Sequence, residues 1–75
     1  TVATVAAEVL RRVVREAKAR PGAKLVAYTA PEVARWIEAQ GDDMTAVMRK
    51  HVPAGMRFEP RGNFARAQYD VGLDQ

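Results

Sequence analysis

"LVAYTAPEVARWI", residues 25–37, decides the fold: an apolar run breaks at Thr29-Ala30-Pro31-Glu32 and a helical pattern starts at once. Lys24 to Thr29 is apolar on both alternating faces, as expected of a strand covered on both sides. Past the break, Val33, Ala34 and Ile37 take helical spacing. Pro31 suits the first helical position and pushes Ala30 away from helical angles. Thr29-x-x-Glu32 also matches a capping box, in which hydroxyl and carboxylate satisfy backbone N–H groups at the helix start. The two patterns place the start one residue apart, and we place it at Pro31. Thr29, Pro31 and Glu32 are then structural residues. A phosphate-cradling turn needs glycines and a thiol exchanger needs sulfur, and Thr29-Ala30-Pro31-Glu32 has neither.

Upstream, Val2, Val5, Ala6, Val9, Leu10, Val13 and Ala17 recur at three- and four-residue steps, the stripe of a long amphipathic helix. Its other face is charged, with Glu8–Arg12 and Glu16–Arg20 in the favourable acid-first i,i+4 order. Arg20-Pro21-Gly22 stops it. Downstream, Gly41 ends the Pro31 helix and Asp42 or Asp43 can cap the next. There Met44, Val47, Met48 and Val52 share a face, while Arg49 and Lys50 point away. Met56-Arg57-Phe58-Glu59 and Tyr69-Asp70-Val71-Gly72-Leu73 alternate, as two strands of a half-covered antiparallel pair would. The order is α-β-α-α-β-β, and joining the first strand to the second through helices favours a parallel crossover. A small three-stranded mixed sheet with helices packed on it is the expected α/β fold.

A chain of 75 residues with nearly half of them hydrophobic is a single globular domain, 1–75, of modest stability. Without cysteine it has no disulfide, thiolate zinc site or redox thiol. No apolar run is long enough to span a membrane and no signal-peptide layout is visible, so the expected compartment is the cytoplasm. A net charge of +3 permits an anionic partner without demanding one.

Candidate functional residues are few. His51, the single histidine, has no acidic partner on its own end of its helix, where the dipole favours a positive charge. Asp42-Asp43 reads as a cap rather than a cation site, and the methionines as core filler. Trp36 flanks its helix's apolar stripe, so it seals the core edge or anchors a partner. Gln40-Gly41-Asp42-Asp43 between two helices has the outline of a KH module, but its carboxylates repel the phosphates that a GXXG loop holds. Arg11, Arg15 and Lys18 form a basic face that is either solvated or a contact for nucleic-acid phosphates. Val14, Trp36, Phe64 and Leu73 fall off the clearest core stripes and are the candidate interface residues. No nucleophile–base pair or carboxylate cluster stands at plausible spacing, so no catalytic, metal or cofactor-binding residue is assigned.

The opening Thr1-Val2-Ala3-Thr4-Val5, the long helix, "LVAYTAPEVARWI", "MRFEP" and "AQYDV" occur in an order that resembles the small C-terminal domain of the ribonuclease E/G family, closest to its ribonuclease G branch. The resemblance covers nearly the whole chain and rests on ordered segments rather than one motif. It implies a thioredoxin-like fold without the redox motif, and a parent that is an endoribonuclease cleaving single-stranded RNA in RNA processing and decay. Such a hydrolase uses magnesium held by aspartates, and a zinc link made by cysteines joins its subunits. Those groups map onto no residue here; the zinc-link cysteines would lie just before Thr1. The resemblance thus implies a non-catalytic accessory or oligomerisation domain of a homo-oligomeric nuclease, which meets RNA through other domains. The alternative is a free-standing RNA- or protein-binding module using the basic first helix.

Overall fold

The computed structural model describes residues 1–74. The elements are α1 (Val2–Ala19), β1 (Leu25–Thr29), α2 (Pro31–Glu38), α3 (Asp42–His51), β2 (Met56–Pro60) and β3 (Tyr69–Leu73). This is the expected α-β-α-α-β-β order in an α/β fold with a three-stranded mixed sheet.

The sheet order is β2-β1-β3. β1 runs parallel to β2, as the crossover through two helices requires, and antiparallel to β3. The expected pairing of β2 with β3 is therefore wrong: each pairs with β1, and the loop between them carries the chain across the sheet. Alternation showed that both are half-covered but not which strand lies between them.

Leu25 and Ala27 of β1 join Val5, Ala6, Val9 and Val13 of α1 and Val33 and Ile37 of α2 in one core. Burying each larger aliphatic side chain contributes about 1.5–3 kcal/mol. α1 packs on α2 and on the sheet, while α3 contributes one buried residue of its own, Met48. Val47, grouped with Met48 by periodicity, lies outside that core at 47% exposure.

The second face of β1 is covered, but by no helix. Val26 aligns with Arg57 on one side and Gly72 on the other. Arg57 Nε and Nη2 donate to Asp74 Oδ2 and Oδ1 at 3.0 and 3.3 Å, and Nη1 donates to Glu59 Oε1 at 2.7 Å. Because β2 and β3 flank β1, the Arg57–Asp74 bridge crosses the strand at the level of Val26, which is only 1% exposed. Arg61 completes the layer, bonded to Glu59 at 2.9 Å and stacked 4.5 Å above the Tyr28 ring centroid. An apolar strand face was legible in the sequence; that charged side chains would cover it was not.

The helix starts also differ from expectation. α2 begins at Pro31, but its N-cap is Ala30 and no side chain caps it. Thr29 is instead the last residue of β1, buried, with its hydroxyl donating to the Ala30 carbonyl at 3.1 Å. Glu32 turns outward to Arg66, 3.3 Å away, and ties the β2–β3 loop to α2. The capping box therefore does not form: proline holds Ala30 extended (φ −59°, ψ 147°), which moves the cap one residue beyond Thr29. Asp42 and Asp43 do not cap α3 either; Gly41 is its N-cap, and both acids lie in the first turn, where the helix dipole favours them. In α1, Glu16 takes both Arg12 (3.2 Å) and Arg20 (3.7 Å), so the expected Glu8–Arg12 pair is replaced. Thr1 caps that helix by accepting from the Thr4 N–H.

Thr29 yields a direct test. The Ala30 carbonyl already accepts from the Val33 and Ala34 N–H groups at 3.0 and 3.2 Å. Its bond from the Thr29 hydroxyl is expendable, whereas the buried methyl is not. Thr29→Val should change stability by under ~1 kcal/mol and Thr29→Ser should cost about 1 kcal/mol. A capping role gives the reverse order. Urea unfolding of the two variants distinguishes them.

Candidate functional site

The two surfaces rich in charge differ in one respect. On the open sheet face Arg57, Glu59, Arg61 and Asp74 are bonded to one another. Hydrogen bonds from Arg57 hold the Glu59 carboxyl below the usual glutamate range, and Asp74 and Glu59 raise Arg57 in turn. That face has satisfied its own charges. On α1, by contrast, Arg11, Arg15 and Lys18 make no ion pair among the described residues.

Those three cations edge an open groove of about 600 Å³ between α1 and α3. Helical spacing explains the arrangement. Leu10 and Val14 lie four apart on α1, at the border between its buried stripe and its charged face. Met44, Val47 and Met48 recur at the matching steps on α3 and form the opposite wall, with His51 at its end. The floor is aliphatic and thioether, with no aromatic ring. Among the described residues no carboxylate lines the groove. On the other flank of α3 a tighter cleft of about 180 Å³ is lined by Ile37, Val52, Met56 and Phe58, and Met44 and Met48 reach it too. α3 thus leaves apolar surface uncovered along both its sides.

The structure sorts the residues singled out from sequence. Val14 joins Arg11, Arg15 and Lys18 in the groove. Trp36 and Phe64 are half-buried and packed against the core, and Leu73 is exposed at 40% on β3, away from the groove. His51 is exposed on the groove's rim, and neither it nor the Asp42-Asp43 pair belongs to a group of three or more metal-ligating side chains among the described residues. Met44 and Met48, read from sequence as core filler, also line the groove, and Val47 and Leu10 are groove residues that sequence reasoning placed on core stripes. Leu10 is half-buried against the core with one side on the groove, while the splay of α3 from α1 leaves Val47 exposed. No described helix is long and apolar enough to cross a membrane.

Comparison with protein-family models, with curated proteins and with solved structures finds no match to this chain.

Proposed function

We propose that this chain is a non-catalytic accessory domain that supports the assembly of a larger RNA-cleaving enzyme of the ribonuclease E/G type. The observation that carries the proposal is the groove between α1 and α3, whose apolar lining includes a valine left 47% exposed. Apolar surface of this kind gains ~25 cal/mol per Å² when another surface covers it. The order of segments that resembles the family supports the choice of parent. In that parent, magnesium, zinc and RNA would be handled by other domains, in the cytoplasm.

Arg11, Arg15 and Lys18, which make no ion pair among the described residues, favour a second reading, a free-standing RNA-binding module. Its weakness is chemical: single-stranded RNA is held largely by stacking bases on aromatic rings, and this groove offers no Phe, Tyr or Trp, only His51 at its end. Titration with single-stranded RNA at low and high salt, paired with sedimentation, separates the two. Assembly through apolar surface predicts association little changed by salt and only non-specific RNA affinity, with a Kd of roughly 10⁻⁴–10⁻⁶ M at physiological salt. Tight RNA binding with a steep salt slope, abolished by Arg11→Ala with Arg15→Ala, would overturn the assembly reading.

A further inference from the structure

From the charge around this groove we infer the chemistry of its occupant: an amphipathic helix of another polypeptide, apolar along one face and flanked by aspartate or glutamate. The inference rests on the assembly reading and adds the partner's composition. Leu10, Val14, Met44 and Val47 give two apolar walls separated by a gap, the shape that accepts a helix laid lengthwise. From Leu10 to Lys18 the α1 wall rises about 12 Å, enough to seat a helix of two to three turns.

Charge selects among such helices. Among the described residues Arg11, Arg15 and Lys18 make no ion pair and no carboxylate lines the groove; Glu8 of α1 shares a separate depression with Arg11 and Arg15. Glutamates beside the occupant's apolar face would meet these cations, steering encounter and fixing orientation. A second copy seated by the same groove is a poor occupant, so any salt-insensitive self-association of the chain runs through other apolar surface, such as the exposed Leu73. Placed groove to groove, two copies would set Arg11, Arg15 and Lys18 of one against the same residues of the other. RNA satisfies the cations but leaves the aliphatic floor without a partner.

Two synthetic peptides test this against the full 75-residue chain. Both carry leucines at i, i+3, i+4 and i+7; one has glutamates beside that face, the other lysines in their place. Fluorescence anisotropy should show saturable binding of the glutamate peptide, roughly tenfold or more tighter than the lysine peptide. Val47→Asp should weaken that binding about tenfold or more, since it sets a carboxylate on the groove's wall among the peptide's own. Arg11→Glu with Arg15→Glu should invert the preference between the peptides. All three residues are exposed, and circular dichroism verifies that each variant stays folded.

No binding of the glutamate peptide, equal binding of both, or indifference to both variants would overturn the inference. So would displacement of the bound peptide by a short oligouridylate at equal concentration. Failure of the peptide alone removes the acidic helix and leaves the salt-independent association of the assembly reading standing. Tight, salt-steep RNA binding would remove that reading itself.

Discussion

Leu25→Ala should remove roughly 2–5 kcal/mol of stability, the cost of a buried leucine's transfer energy plus the cavity it leaves. Leu25 is the largest fully buried side chain and lies on the central strand, facing the helices. Its flanks give little room for collapse. Met56 and Leu73 sit beside it in register on β2 and β3, and the Leu25 N–H is fixed to the Gly55 carbonyl at 3.1 Å. A domain of this length holds ~4–11 kcal/mol in all, at about 0.05–0.15 kcal/mol per residue, so one truncation removes a large share. Leu73→Ala supplies the contrast. It deletes the same atoms from the same row of the sheet, but at a side chain already 40% exposed, and should cost about 1 kcal/mol or less. Urea unfolding followed through the single tryptophan, Trp36, measures both. A Leu25→Ala loss no larger than that of Leu73→Ala would mean that the core is not centred on β1.

The same strand shows how much of the fold the residues disclose. Val26 and Ala27 are both apolar, and that double-sided pattern marks β1 as the middle strand even though the sequence reading paired β2 with β3. Full burial belongs between two neighbours, and half-burial belongs at the edges. Had that rule been applied across strands, the order β2-β1-β3 would have followed. The α2 start shows the opposite case. Thr29-x-x-Glu32 satisfies a local pattern, yet Pro31 governs because a steric restriction on Ala30 outweighs a capping bond of about 1 kcal/mol. Once Ala30 is extended, Thr29 belongs to the strand.

The groove was half legible. Arg11, Arg15 and Lys18 stood out as a basic face, and Met44, Val47 and Met48 as an apolar one, but on separate helices. Their meeting depends on how far α3 splays from α1, which no periodicity encodes. That splay is tertiary, set by the turn between α2 and α3 and by what α3 packs against. Gly41 is the hinge of the turn and has the least ordinary backbone among these residues.

Gly41→Ala should cost ~1–3 kcal/mol, although the new methyl group would meet nothing within 4 Å. The cost lies wholly in the backbone. Gly41 holds φ 76° and ψ −153°, a region that residues with a Cβ scarcely enter, while its carbonyl accepts from the Thr45 N–H to open α3. Handedness makes the account testable. The mirror image of these angles falls close to polyproline II, so a D-residue adopts Gly41's conformation with ease where an L-residue resists it. D-alanine at position 41, introduced by chemical synthesis, should therefore match glycine or stabilise by ~0.4–1 kcal/mol through the narrowed unfolded ensemble. Were the position sensitive to bulk, both alanines would destabilise alike. Were α3 indifferent to its cap, neither would. Opposite signs for the two enantiomers, read as urea midpoints, would place the cost in the turn that sets α3's start and with it one wall of the groove.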